Sequence, residues 1–142
     1  MEEPGAFEAA LGALRYRDLS EYELERKLAG RGFGEDARSE AVTTLKRTGL
    51  LDERRFAEGR AMSLAARGAG DAFIRDALER ARVPDDVVDD ALAALEPESE
   101  RARTIVARRG SDAKTARYLA AKGFAVETIG DVIASARREE LG

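Results

Sequence analysis

Apolar residues recur along the chain at helical spacing, and the pattern comes round three times. Val87, Val88, Ala91, Leu92 and Leu95 stand at i, i+1, i+4, i+5 and i+8, one face of an amphipathic helix. Ile129, Val132, Ile133 and Ala136 fill the same slots later in the chain. Arg38, Ala41, Val42 and Leu45 fill them earlier, Arg38 being the polar exception. Shifting Ser20–Leu45 by 50 positions lands it on Gly70–Leu95, and shifting it by 91 lands it on Ser111–Ala136. Leu28, Leu78 and Leu119 then coincide, as do Phe33, Val83 and Phe124. Self-similarity of this kind predicts a repeat architecture.

Each copy predicts three helices. The second helix of the first copy starts at Ser20 with Glu23 three residues on, a capping box. Ser111 is the expected N-cap in the third copy, with Lys114 in place of the glutamate. Arg31-Gly32-Phe33 and Lys122-Gly123-Phe124 put a cation in the last turn, a glycine at the left-handed position and a hydrophobe after it. Arg47-Thr48-Gly49-Leu50 repeats the theme. The middle copy has Arg82 where the others have glycine, and turns with Pro84, which suits a first helical turn. First helices are expected over Phe7–Arg15, Asp52–Ala66 and Glu98–Arg109. β-branched residues never alternate for more than a few positions, so no strand is expected. The predicted fold is all-α: an elongated array of three tandem three-helix modules over 1–50, 51–97 and 98–142. Each module has too few large apolar residues to stand alone, so neighbours must share surface.

Composition supports thin, alanine-spaced cores. Apolar residues make up 44% of the 142 positions, but 27 are alanine, leaving 35 larger side chains. The chain has no Cys, His, Trp, Asn or Gln. Disulfides, thiolate nucleophiles, Cys/His metal sites and histidine-dependent acid–base chemistry are thereby excluded. The bidentate pairing that reads adenine in the major groove requires Asn or Gln, so a sequence-specific DNA reader is not expected. No catalytic residue, cofactor or metal is expected, and the chain is read as not an enzyme. No uncharged run exceeds six residues, and Met1-Glu2-Glu3 lacks the character of a secretion signal. These features predict a soluble cytoplasmic protein with no membrane contact, expected to be a monomer.

Three separated segments carry a resemblance to a known family. Tyr16-Arg17-Asp18-Leu19-Ser20-Glu21-Tyr22-Glu23-Leu24-Glu25-Arg26-Lys27-Leu28, ending at Gly32-Phe33, resembles the opening motif of the RecX regulatory proteins. Leu50-Leu51-Asp52-Glu53-Arg54-Arg55-Phe56-Ala57 is similar to their central segment, with Glu53 where a second Asp is usual. Tyr118-Leu119-Ala120-Ala121-Lys122-Gly123-Phe124 is similar to their C-terminal motif. The resemblance covers about residues 10–135 in the right order. It implies a modulator of the RecA recombinase that lies in the groove of the RecA–DNA filament. Such a protein would limit filament extension or promote disassembly, depressing strand exchange, ATP turnover and co-protease activity. The implied setting is DNA repair, homologous recombination and the SOS response. Some members also bind DNA weakly.

Charge distribution adds candidate contact residues. Residues 83–100 hold seven acids and no base, whereas 101–122 hold seven bases and one acid, Asp112. The formal net charge of −4 thus conceals a bipolar sequence. The bases Arg101, Arg103, Arg108, Arg109, Lys114, Arg117 and Lys122 are the candidates for facing the partner or DNA, with weak DNA contact expected through the third module. Arg54 and Arg55 join them, since guanidinium suits bidentate contacts; pairing within the chain to Asp52, Glu53 or Glu58 is the alternative. Phe33, Phe56 and Phe124 are assigned to the core.

Two motifs are set aside. Asp85-Asp86-Val87-Val88-Asp89-Asp90 looks like an aspartate-rich diphosphate motif, but acids in a first helical turn already have a reason in the macrodipole. Gly30-Arg31-Gly32-Phe33-Gly34 and Gly68-Ala69-Gly70 lack the preceding strand and following Lys-Ser/Thr of a phosphate loop. The rival functions are a nonspecific DNA-binding protein built of helix-turn-helix-like modules and a generic helical scaffold.

Overall fold

The computed structural model describes residues 4–142, and among these it contains nine helices and no strand. They are α1 (Ala6–Tyr16), α2 (Glu21–Gly30), α3 (Glu35–Arg47), α4 (Glu53–Ala66), α5 (Asp71–Arg80), α6 (Asp85–Ala93), α7 (Glu98–Arg109), α8 (Ala113–Ala121) and α9 (Val126–Leu141). The all-helical fold read from the sequence is the fold observed.

Local chemistry explains most helix ends. Ser20 Oγ accepts the Glu23 N–H at 3.1 Å while the Ser20 N–H donates to Glu23 Oε1 at 3.3 Å, which completes the capping box. In the third copy the cap is one residue later than expected. Asp112, not Ser111, accepts the Thr115 N–H, at 3.0 Å. A carboxylate is the stronger acceptor for an N-terminal N–H, and it holds Asp112 below its ordinary pKa through that bond. Pro84 is the N-cap of α6 and stands just outside its first turn. Arg82 adopts the left-handed conformation (φ 61°) that Gly32 and Gly123 take at the equivalent positions (φ 91° for both).

Three separate apolar clusters form, one per consecutive helix triplet. Leu19, Leu24, Leu28 and Leu45 centre the first, Phe56, Ile74, Leu78 and Val88 the second, and Val106, Leu119, Phe124 and Val132 the third. Each fully buried aliphatic side chain stabilises by about 1.5–3 kcal/mol. All the extensive helix–helix packing lies inside α1–α3, α4–α6 and α7–α9. Leu51, beyond the first module's sequence boundary, packs into the first cluster. Phe56 and Phe124 are core residues, while Phe33 is half-buried at the first cluster's edge. Arg38 occupies an apolar slot because its guanidinium bonds Glu25 Oε2 at 3.1 Å and the Phe33 carbonyl at 2.7 Å.

Two joints connect the triplets, and both use one device. Glu53, first residue of α4, accepts the Glu21 N–H at the start of α2 at 2.9 Å. Glu98, first residue of α7, accepts the Asp71 N–H at the start of α5 at 2.9 Å and the Ala125 N–H before α9 at 2.7 Å. Each glutamate supplies an acceptor to a helix end that otherwise has spare donors. The second joint adds direct backbone bonds: Gly70 N–H donates to the Lys122 carbonyl at 2.8 Å, and Ala72 N–H to the Gly123 carbonyl at 3.2 Å. No helix in the described residues is long and apolar enough to cross a membrane.

Candidate functional site

The second joint carries a groove on the surface of the described residues. Here α4 ends with Ala66 and its cap Arg67, α7 runs alongside, and α8 closes one wall. The groove has a volume of about 700 Å³ and an apolar lining from Met62, Ala65, Ala66, Leu95 and Ile105. Met62 is 65% exposed, whereas Ala65 and Leu95 pack against the second core. Cations rim it: Arg67, Arg108 and Arg109 are exposed, with no carboxylate in ion-pair range among the described residues. Glu96 is the one acid in the lining. The Arg109 guanidinium lies 3.7 Å from the Tyr118 ring centroid and covers that face.

Beneath the groove lies a polar knot that fixes its walls. Arg101, whose side chain is 10% exposed, donates to the Glu96 carbonyl at 2.9 Å, the Ala69 carbonyl at 2.8 Å and the Asp71 carboxylate. Burial pushes the Asp71 carboxyl above its ordinary range, outweighing the pull of Arg101. Burial likewise raises Glu53 at the first joint, against the bond it accepts from the Glu21 N–H.

The basic residues singled out from sequence scatter to different tasks. Arg108 and Arg109 reach the groove, and Lys122 abuts its floor beside Gly68. Arg101 also lines the groove, but its Nε and both terminal nitrogens are engaged within the chain at the joint. Arg103 pairs with Glu100 at 2.5 Å, away from the groove. Lys114 and Arg117 are exposed outside the groove lining and make no ion pair among the described residues. Arg54 reaches Asp90 at 2.7 Å and Asp86 at 3.7 Å; Arg55 reaches Asp18 at 3.1 Å and the Gly49 and Leu50 carbonyls. Both are engaged within the chain, with partners across 36 and 37 residues rather than mainly the neighbouring acids. The aspartate run is absorbed too, since Asp86 and Asp90 face Arg54 and Asp89 bonds Arg75 at 2.8 Å.

Arg67, Met62 and Ile105 were not legible as site residues. Arg67 also lines a second groove of about 490 Å³ at the first joint, with Arg17, Arg55 and Arg60. The available signal was α4 itself, whose apolar residues do not fit one face: Phe56, Ala57 and Ala61 enter the core, while Met62 and Ala66 point elsewhere.

Three linked helix triplets with a charged groove define, among the described residues, an all-helical repeat protein. Known proteins make the class specific. The description "RecX, first three-helix domain" matches residues 6–45. Regulatory protein RecX of Xanthomonas axonopodis pv. citri (strain 306) is 35% identical over 142 aligned positions, covering 93% of this chain and 85% of that protein. Regulatory protein RecX of Chromohalobacter salexigens is 35% identical, covering 89% and 90% respectively. The crystal structure of RecX from Lactobacillus salivarius superposes with a TM-score of 0.79 at 24% identity, over 93% of this chain and 94% of that one. The chain belongs to the RecX family of regulatory proteins, and it is a regulator rather than an enzyme.

Proposed function

We propose that the protein inhibits the RecA recombinase in the cytoplasm. It binds in the groove of the RecA–DNA filament, limits extension or promotes disassembly, and so depresses strand exchange, ATPase and co-protease activity. The observation that carries this reading is the match to regulatory RecX proteins along 93% of the chain. Serial triplets with exposed charge and no reactive site are consistent with action by contact alone. The monomer is the acting unit in this reading.

Sequence-specific DNA reading is disfavoured by the third helix of every triplet. α3 starts with exposed Glu35 and Asp36, α6 with exposed Asp85 and Asp86, and α9 carries exposed Glu127 and Asp131. A helix-turn-helix unit presents that end to the duplex, where phosphate would repel it. Weak DNA contact through Lys114 and Arg117 of the third triplet remains compatible with this arrangement. The test is DNA-dependent ATP hydrolysis by RecA of the same organism, with free single-stranded DNA binding as control. Suppression at or below stoichiometric protein is expected; no suppression together with no binding to RecA–single-stranded DNA filaments would refute the proposal.

A further inference from the structure

We infer that the groove at the second joint docks a short acidic protein segment anchored by a large apolar side chain. The inference deepens the proposed regulatory function and rests on it for the partner, though not for the binding event itself. Its argument is charge complementarity joined to shape. Arg67 from α4 and Arg108 and Arg109 from α7 ring a lining supplied by Met62, Ala66 and Ile105, with only Glu96 opposing them. On a protein of net charge −4, such a concentration of guanidinium is a local inversion of sign. Guanidinium pairs bidentately with carboxylate, and a central apolar anchor ringed by polar contacts is how small interfaces gain most of their energy.

A groove of about 700 Å³ is of the size that takes a few side chains. It is also held open in advance. The Arg101 knot and the Glu98 bonds fix α7 against α5, so little ordering accompanies docking. Nucleic acid is the weaker fit. Single strands need free aromatic faces for stacking, and the groove's accessible ring, Tyr118, is capped by Arg109 at 3.7 Å. Phe124, the other aromatic in the lining, is only 5% exposed.

The probe is a fluorescein-labelled peptide Asp-Glu-Asp-Leu-Phe-Glu-Asp-Glu, followed by anisotropy with the full chain. The same peptide with Ser-Ser in place of Leu-Phe tests the anchor, and a labelled oligothymidine tests nucleic acid. The acidic–apolar peptide is expected to bind at least tenfold more tightly than the serine peptide. Arg67→Glu and Arg108→Glu each weaken it at least tenfold, Met62→Asp does the same, and Arg47→Glu on α3 changes it less than twofold. Circular dichroism of these surface variants verifies that they fold. Absence of peptide binding, equal affinity for the serine peptide, or wild-type affinity in the groove variants would overturn the inference. Displacement of the peptide by oligothymidine at lower concentration would overturn it in favour of a nucleic-acid groove. If the peptide fails while RecA ATPase is still suppressed, the groove assignment falls and the regulatory reading stands. If the peptide binds while RecA is unaffected, the reverse holds.

Discussion

Ser20 and Gly70 are equivalent positions in successive repeats, and so are Arg82 and Gly123. Gly70 lies against Gly123 across the second joint, Arg82 lies over Tyr22 across the first, and the two joints differ because of what stands there. At the second joint both positions are glycine, and the backbones come into direct contact. A Cβ added to Gly70 would lie 2.5 Å from the Gly123 carbonyl, and one added to Gly123 would lie 2.7 Å from the Phe73 nitrogen. At the first joint Ser20 spends its side chain on its own capping box, and Arg82 lies over the Tyr22 ring at 5.4 Å. The other cross-joint contacts there are the Glu53 carboxylate, which accepts the Glu21 N–H at 2.9 Å, and the side-chain pairs Arg55 with Asp18 at 3.1 Å and Arg60 with Glu23 at 3.8 Å. Partly exposed pairs contribute about 0–1 kcal/mol each and are screened by salt. Backbone hydrogen bonds and a largely buried guanidinium held by three acceptors are costlier to break and less easily screened. On these contacts the second joint is expected to be the stiffer of the two.

The sharpest way to break this contrast is to put side chains where only backbone fits. Gly70→Ala and Gly123→Ala are expected to destabilise by about 3 kcal/mol each, lowering Tm by roughly 10 °C. Gly123 suffers additionally because its φ of 91° strains any L side chain. Thermal melts that leave either variant within a degree or two of wild type would show that the joint yields. Next in size, Arg101→Met removes the knot and strands the half-buried Asp71 carboxylate, at an expected cost of about 2–4 kcal/mol in chemical denaturation. Glu53→Ala at the first joint removes a single acceptor and is expected to cost about 1 kcal/mol. Equal losses in these two variants would mean that the joints are equally stiff.

Arg82 offers a finer comparison within the first joint. Arg82→Ala keeps the left-handed backbone strain and loses the Tyr22 contact, whereas Arg82→Gly relieves the strain as it loses the contact. The glycine variant should be the more stable of the two by about 1 kcal/mol. A smaller effect is pH-dependent. Burial raises Glu53 and Asp71 above ordinary values of 4.5 and 3.8, so the folded state holds these protons more firmly than the unfolded chain. Their contribution is fully favourable below those ordinary values and is lost as pH rises through the raised ones. Glu53→Gln keeps an acceptor for the Glu21 N–H but cannot ionise. Its Tm relative to wild type should therefore rise between pH 4 and pH 7; a flat difference would exclude this linkage. The smallest expected effect is that of Arg54→Ala, whose exposed pairs with Asp86 and Asp90 should leave Tm unchanged within error.

The helices and their ends were largely readable because their causes are local. The Ser20 box, the glycines at 32 and 123 and the apolar slots of α6 each act within one or two turns. Where reading slipped, two local candidates competed, as with Ser111 and Asp112 for the α8 cap, and the better acceptor took the position. The interaction surface was much less readable. A run of seven bases over 101–122 looked like one patch. In the fold, Arg101 turns inward, Arg103 pairs with Glu100, and Arg108 and Arg109 join Arg67, which lies outside the run.

The sequence by itself determined the nine helices of the described residues in three related triplets, the lack of Cys and His, and the RecX-like motifs. Periodicity, capping and composition require no knowledge of distant neighbours. Only the tertiary structure decided which charges are spent and which are free, because partners such as Arg54 and Asp90, or Arg101 and Asp71, lie 36 and 30 residues apart. It also decided that Gly70 and Gly123 are joint residues, Gly70 meeting the Gly123 backbone and Gly123 the Phe73 backbone. A glycine's close approach is set by what the fold brings against it, and nothing beside it in the chain announces that contact.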